Sequence, residues 1–392
     1  MIIPRYNRTK IVATIGPASM NETVLENMIN AGMDVCRINS SHGDHAMMEQ
    51  MILTIRALNK KLNAHIAILF DLQGPKIRIG DLEEKNIVLK VGDELILNHR
   101  EVPGTSKEVF IKYHNFHRDV KVGDTVLVDD GKIALEVAEI LPDERVLTEV
   151  VYGGPLSSRK GVNLPNTDIS LPSLTEKDRK DLEFALKHDI EWIGLSFVRK
   201  PEDVVELKNI IKAANKRTRV IAKIEKPDAV RNIDEIIVVS DGIMVARGDL
   251  GVEMAMEKVP VIQKSIVKKC NEAAKPVIIA TQMMESMITN YRPTRAEAND
   301  VGNAVFDGAD ALMLSAETSV GAFPVETVAA MQKIINEVEA QDSIYYREFK
   351  PTPDSLNFIP EHICHSAVVM SRQTGGASIV AMTHSGMTAF KI

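Results

Sequence analysis

The chain has 392 residues, 45% of them hydrophobic and 26% charged, with a formal net charge of −7 and a pI near 5.9. That length accommodates two or three domains around a large core. The acidic balance excludes nucleic acid and anionic membrane as main partners, so the cations of any anion site must be gathered locally. Cys36, Cys270 and Cys364 lie far apart in no metal-ligand spacing, which suits idle thiols in a reducing cytoplasm. The opening "MIIPRYNRTKIVATIGP" is too short and polar for a signal peptide. No run approaches the ~20 apolar residues of a membrane span.

In chain order, short β-branched runs alternate with longer amphipathic ones. "KIVATIG" (10–16) predicts a first strand, and "SMNETVLENMINAG" predicts a helix that opens on cap-type residues and ends at Gly32. "DVCRINS" (34–40) and "AILFDL" (67–72) predict the second and third strands. The alternation lapses between Asp71 and about Leu171. No strong helix is legible there, and Gly-Asp turns punctuate short strands in "IVLKVGDELIL", "DVKVGDTVLVDDGKIALEVAEIL" and "LTEVVYGGPLSSRKGVNLP". This predicts a small all-β barrel inserted at 73–167. The KVGD at 90–93 and 121–124 marks a shared hairpin turn, not a repeat.

After the insertion, "TEKDRKDLEFALKHD" carries Leu182, Ala185 and Leu186 at helical spacing. The strands "WIGLSFV" (192–198), "RVIAKIE" (219–225), "GIMVARG" (242–248), "PVIIATQ" (276–282) and "ADALMLS" (309–315) follow. "TRAEANDVGNAVFDGAD" and "FPVETVAAMQKIINEVEA" predict further helices. Eight βα units predict an α/β fold, a closed (β/α)8 TIM barrel from 1–72 and 168–340. Periodicity alone leaves an open doubly wound sheet as the alternative. At 341–392 the text reads as a linker, "SIYYREFKPTPDSLNFIPEH", then a helix from His362, a strand "ASIVAMTH" and the start of a helix in "SGMTAFKI". That is the expectation of a partial α/β carboxy-terminal domain, cut short.

The carboxyl ends of barrel strands are where active sites form. Here they read TIGP, RINSSHG, DLQGPKIR, LSFVR, AKIE, ARGD, ATQ and LSAET. Each polar end alone has a plain structural account as a helix cap or a solvated charge; eight together point to chemistry. Strand alternation puts Lys223 and Glu225 on one face, where an ion pair at the core rim is the simplest account. Glu225 and Asp249 end consecutive strands and could converge as the two carboxylates that hold Mg²⁺, or cap the next helix. Arg37, Arg78 and Lys223 are cations suited to phosphoryl oxygens. Gly248 stands where backbone N–H groups at a helix start could meet an anion, and Thr281 is a small donor or a cap. His114 and His117 have near-ligand spacing with no carboxylate nearby in sequence, which argues against a metal. His42 and His45 read as polar loop residues. No GxxxxGK[ST] phosphate loop occurs.

These residues carry a resemblance. "VIAKIEKPDAV" resembles the active-site signature of pyruvate kinases. "KIVATIGPAS", "CRINSSHG", "LFDLQGPKIRIG", "RKGVNLP", "LSFVRK", "MVARGDLGVE", "IIATQMMESM", "PTRAEANDVGNAVFDGADALMLSAETSVGAFPVE" and "THSGMTA" follow in that family's order, across essentially the whole chain. The resemblance implies a barrel with the β domain as a mobile lid, and transfer of a phosphoryl group from phosphoenolpyruvate to ADP, giving pyruvate and ATP. It implies a cytoplasmic homo-oligomer, tetrameric in the full-length family. It makes Glu225 and Asp249 the ligands of Mg²⁺ or Mn²⁺ and Lys223 the cation that meets the phosphoryl group in flight, a step that asks chiefly for positioning and charge neutralisation. Arg37 would contact the substrate phosphate, while Gly248, Asp249 and Thr281 would frame its carboxylate and enol end. Asn39, Arg78 and Lys160 would meet the nucleotide phosphates, Lys160 being delivered when the lid closes and excludes water. Ser315 and Glu317 are candidates for a proton relay.

The departure lies in "DLQGPKIRI". Members that need K⁺ resemble "DTKGPEIRT" here, with partners equivalent to Asn39, Ser41 and Asp71. Those three are present, but Leu72, Gln73, Lys76 and Ile79 stand where Thr, Lys, Glu and Thr are usual. A carboxylate that favours a monovalent cation has become an ammonium, so Lys76 is expected to do the electrostatic work of K⁺ and K⁺ is not required. Two other readings compete. A metal-dependent lyase or aldolase of phosphoenolpyruvate or pyruvate would not explain the lid with its "RKGVNLP". Against an inactive, truncated regulatory form stand the intact Lys223, Glu225, Asp249, Arg37, Arg78 and Thr281.

Overall fold

A computed structural model describes residues 7–41, 43–84, 87–165, 167, 169–341, 351, 353, 357–376, 378–384 and 386–392. His42 and most of the predicted linker lie outside them. Three strands come first: β1 (Lys10–Thr14), β2 (Val35–Asn39) and β3 (Ala67–Asp71). Eight short ones follow: β4 (Ile87–Leu89), β5 (Glu94–Asn98), β6 (Glu108–Phe110), β7 (Thr125–Val128), β8 (Ile133–Ile140), β9 (Val146–Tyr152), β10 (Gly154–Leu156) and β11 (Val162–Asn163). Five more complete the set: β12 (Trp192–Leu195), β13 (Arg219–Ile224), β14 (Gly242–Ala246), β15 (Val277–Ala280) and β16 (Ala311–Leu314).

β1, β2, β3 and β12 to β16 close into a barrel in the order β1-β16-β15-β14-β13-β12-β3-β2, every pair parallel. Closure removes the doubly wound alternative. All eight predicted strands contribute. The helices form where capping chemistry allows. Asn21 accepts from the Thr23 N–H to start Glu22–Ala31, which ends at Gly32 with φ 120°. Thr175 and Thr294 build capping boxes with Asp178 and Glu297 at the starts of Glu176–Lys187 and Arg295–Asp307.

Alternation along the strands sorts side chains into two layers. Val220, Ala222 and Ile224 of β13 join the large core under the helices, whereas Ile221 joins Val12, Leu69, Met244, Ile278 and Met313 inside the barrel. Full burial of each such aliphatic side chain contributes roughly 1.5–3 kcal/mol. A charge at Ile224, which is 0% exposed, would be stripped of water among aliphatic side chains and would break the packing.

The inserted strands have a core of their own, with Phe116, Val126, Leu135 and Val150 among its members. They form a curled six-stranded sheet, β11-β7-β8-β9-β5-β6, with a two-stranded β10-β4 beside it. Isolated bridges at Arg78–Gly161 and Ile79–Ile111 connect segments outside the named strands. Both KVGD segments make the same turn, with Gly92 at φ 85° and Gly123 at φ 90°. At its base the insertion docks on the barrel: Glu253 Oε1 accepts from Asn163 Nδ2 at 2.8 Å and from Lys226 Nζ at 2.6 Å, all three residues being buried.

Near the carboxyl terminus two expectations need correction. The helix expected from His362 begins earlier, spanning Phe358–Thr374. The strand expected at 377–384 is not formed by the described residues 378–384, where Val380 is 89% and Met382 96% exposed. A strand is held by a ladder partner, and none is present there among the described residues. Met387–Lys391 is helical, as the sequence suggested. No helix among the described residues is long and apolar enough to cross a membrane.

Candidate active site

The inner face of the barrel turns from apolar to charged at the next inward position after the Ile221 layer, two residues along each strand. Arg37, Asp71 and Lys223 point inward by the alternation that turns Cys36, Phe70 and Ala222 outward into the main core. Asp71 is the hub. Its Oδ2 accepts from Arg37 Nε at 2.9 Å and from Arg37 Nη2, and lies 3.3 Å from Lys223 Nζ. Arg37 Nη1 also donates to Thr14 Oγ1 at 3.0 Å. Lys223 Nζ donates to Ser196 Oγ at 2.7 Å and pairs with Glu225 Oε1 at 3.0 Å, while Ser196 Oγ donates to the Leu72 carbonyl at 2.7 Å. The ammonium is thus aimed by three fixed partners. Gly194 makes room for the hub, since a Cβ there would stand 2.3 Å from Asp71 Oδ1.

Burial alone would raise the Asp71 pKa, but the Lys223 and Arg37 charges hold it below the usual carboxylate range. Burial would likewise lower Lys223, and Asp71 with Glu225 outweighs it, so the ammonium is kept. Glu225 is pushed up by burial, with Asp249 adding to the effect against Lys223. Its Oε2 accepts from the Phe197 N–H at 2.7 Å. Phe197 presents that N–H from a left-handed backbone at φ 54°.

Across the rim, Lys76 Nζ donates to Asp249 Oδ1 at 3.1 Å. The Gly248 N–H is already engaged by Thr281 Oγ1 at 2.7 Å, and the hydroxyl itself donates to the Ala280 carbonyl at 2.5 Å. Thr281 has φ 70° and Gln282 φ 55°. For a β-branched residue that is a true backbone outlier, of the kind that concentrates at working sites. Arg247 supports the strained turn, with Nη1 2.7 Å from Asp300 Oδ2 and Nη2 donating to the Thr281 carbonyl at 2.8 Å.

Arg37, Asn39, Ser41, Asp71, Leu72, Gln73, Lys76, Arg78, Ser196, Lys223, Glu225 and Asp249 line one cavity of about 140 Å³. Lys76, Gly248 and Asp249 also border a larger one of about 650 Å³. Asn39 Oδ1 accepts from the Ser41 N–H at 3.1 Å, and Arg78 Nη1 donates to the Arg159 carbonyl at 3.1 Å. Five expected residues stand apart from the small cavity: Gly248 and Thr281, bonded to each other, and Lys160, Ser315 and Glu317. Lys160 is paired with Asp129 of the inserted domain at 2.8 Å. Glu317 uses Oε2 on the Ser315 N–H at 2.6 Å and Oε1 on the Met284 N–H at 3.2 Å, so it clasps two loops. Ser315 shares that clasp through its backbone. Sequence reasoning missed Thr14, Ser196, Phe197 and Arg247. Thr14, Ser196 and Arg247 left a trace as polar groups at strand ends, and strained dihedrals leave none.

The donor set fits a hard divalent cation. Glu225 and Asp249 offer carboxylate oxygens on one cavity, and the repulsion between them is what such an ion relieves.

The family model described as "Pyruvate kinase, barrel domain" matches residues 6–328. The pyruvate kinase of Thermotoga maritima is 46% identical over 384 residues, covering 98% of this chain and 81% of that protein. That of Clostridium perfringens is 44% identical over 389 residues, covering 97% and 81%. Among solved structures, a pyruvate kinase from Cryptosporidium parvum superposes with a TM-score of 0.88 at 39% identity, covering 98% of this chain and 80% of that one.

Proposed function

The chain belongs to the pyruvate kinase family, and from that premise we propose how its residues divide the work of moving a phosphoryl group from phosphoenolpyruvate to ADP. The lyase and inactive readings are not favoured, since relatives named pyruvate kinase match nearly the whole chain. The observation that carries the assignment is the grip on Lys223: Asp71, Glu225 and Ser196 hold its ammonium in the cavity that Arg37 and Asp249 share. Four cations, Arg37, Lys76, Arg78 and Lys223, face three carboxylates there. That excess suits a phosphate ester and its carboxylate.

Arg37, fixed by Asp71 and Thr14, takes the phosphate of phosphoenolpyruvate. Lys223 neutralises the oxygens of the phosphoryl group as it leaves the enol oxygen, and because its partners are preset it needs no rearrangement as charge shifts. Glu225 and Asp249 would hold Mg²⁺ or Mn²⁺, which supplies further positive charge to the phosphoryl oxygens when bound. Gly248 and Thr281 frame the carboxylate and enol end, with the Thr281 hydroxyl standing in for the ligand on the Gly248 N–H until substrate arrives. Asn39 and Arg78 meet the nucleotide phosphates. Residues 73–167 act as a lid, and Lys160 exchanges Asp129 for a phosphate when it closes. Lys76, whose ammonium reaches Asp249 within the same cavity, supports the reading that K⁺ is not required. Ser315 and Glu317 then act by holding the loop after β16 in place.

The test is pyruvate formation from phosphoenolpyruvate with Mg²⁺, with and without ADP and with and without K⁺. ADP-dependent turnover independent of K⁺ is expected. Cleavage without ADP would return the lyase reading, and no turnover would return the inactive one.

A further inference from the structure

The inserted domain carries a second cluster that phosphoryl transfer leaves unused. In sequence His114 and His117 lack a carboxylate; folding brings one. His99 directly follows β5, His117 lies in the one-turn helix Phe116–Asp119, and Glu144 sits in the turn between β8 and β9. One donor atom from each of His99, His117 and Glu144 lies within 4.8 Å of the others, the one such trio of His, Cys, Asp or Glu among the described residues. The His99 and His117 side chains are 5% and 9% exposed, and that of Glu144 is 46%, so a buried imidazole pair has one side open to solvent.

The spacing is that of groups around an ion. His99 Nε2 stands 3.6 Å from Glu144 Oε2 and His117 Nε2 stands 3.7 Å from Glu144 Oε1, too far for hydrogen bonds. Two ligand atoms on a tetrahedral ion with bonds of ~2.0–2.2 Å lie about 3.4 Å apart, close to both gaps. Nδ1 of both imidazoles is buried with no hydrogen-bond partner. Glu144 holds φ 70° in a turn position that glycine or asparagine usually takes. Its neighbours Asp143 and Arg145 pair with each other, leaving its carboxylate to the histidines. Arg118 Nε, on an exposed side chain, donates to His117 Nε2 at 3.3 Å and must turn outward for an ion to enter.

We propose that His99, His117 and Glu144 form a site for a first-row transition ion of the Zn²⁺ type, with water in the fourth position. Two imidazoles and one carboxylate suit such an ion and not Mg²⁺, which prefers oxygen throughout. The β8–β9 turn lies at the opposite end of those strands from the Gly131 turn, where an added Cβ would come within 3.9 Å of Val252 of the barrel. The ion therefore stands away from the catalytic cavity and ties three segments of the inserted domain together.

Co²⁺ is titrated into the chelator-treated full chain in Mg²⁺-replete buffer, where Mg²⁺ competes for the carboxylate site. Intense visible absorption of tetrahedral Co²⁺ is expected, saturating at one equivalent, displaced by Zn²⁺, and lost in a His99→Gln/His117→Gln double variant. Glu144→Gln, at an exposed position that spares the fold, is expected to weaken binding about tenfold or more. Zn²⁺ should also raise the thermal midpoint of the unsubstituted protein, because an ion bound to the folded chain alone stabilises it. No uptake, a faint octahedral spectrum, or unaltered binding in the Glu144→Gln protein would overturn the proposal.

Discussion

If Lys76 does the electrostatic work of K⁺, as proposed, replacing it by Glu should create a dependence on K⁺. Lys76 Nζ lies 3.1 Å from Asp249 Oδ1. At an effective dielectric of 20, that separation gives an attraction of ~5 kcal/mol. The two side chains are 26% and 25% exposed, so solvent screening reduces the net contribution to about 1–2 kcal/mol. Glu at 76 removes the attraction and adds a repulsion of like size. The swing is roughly 2–4 kcal/mol, or about 30- to 700-fold in the stability of the cavity with an anionic substrate bound, since ~1.4 kcal/mol is tenfold. Initial rates of pyruvate formation are measured for both proteins in tetramethylammonium buffer and with saturating K⁺. The unsubstituted enzyme should change by less than about twofold. Lys76→Glu should lose most of its activity without K⁺ and regain a large part with it. Strong K⁺ activation of the unsubstituted enzyme, or a Lys76→Glu enzyme indifferent to K⁺, would refute the electrostatic assignment.

Lys223→Met should lower kcat by about 10³-fold or more while KM for phosphoenolpyruvate moves far less, because on the proposed assignment Arg37 holds the phosphate and its bond to Asp71 survives. Turnover near normal would remove Lys223 from its role. Gly194→Ala forces a Cβ to within 2.3 Å of Asp71 Oδ1, so the hub must shift, and activity should fall on the order of 100-fold in a protein that still folds; an unchanged kcat would show that the hub need not be fixed. Burial pushes the Cys36 and Cys270 thiols up to about 12 from 9.0. Both should resist alkylation at pH 8 in the folded protein and react once it is unfolded. Because the folded pKa is the higher, each thiol's stabilising contribution is complete below about pH 9 and lost between 9 and 12, at up to ~1.4 kcal/mol per pH unit. Unfolding free energies at pH 9 to 11 should fall less steeply for Cys270→Ala, and equal slopes would contradict the linkage.

The eight barrel strands were legible because each is a short apolar run set between helical segments; closure itself is a relation among them that periodicity does not report. The predicted strand at 377–384 had the same local pattern, but nothing among the described residues pairs with it, and Val380 and Met382 face solvent. A strand is a relation between segments, and composition reports one segment at a time. The inserted domain shows the same limit. Its turns could be read from Gly-Asp pairs, whereas the convergence of His99 and Glu144, separated by most of the inserted sheet, could not.

Within the site, alternation gave the face on which Lys223 and Glu225 lie, but it could not say what they face. Asp71 looked like a monovalent-cation partner at the end of "AILFDL", and the structure makes it the anchor of two cations. That anchoring rests on an absence in the sequence of β12, the side chain missing at Gly194, whose space Asp71 Oδ1 fills. The charged layer also depends on where the apolar layer stops. Ile221 and Leu69 pack inside the barrel, and the next inward residue on each strand is Lys223 or Asp71. One residue of register shift in β13 would turn Lys223 into the helix-facing core, among the aliphatic side chains that Ala222 and Ile224 meet. The same hydrophobic pattern that closes the barrel therefore sets the height and direction of the ammonium, and the fold and the site cannot be varied independently along this strand.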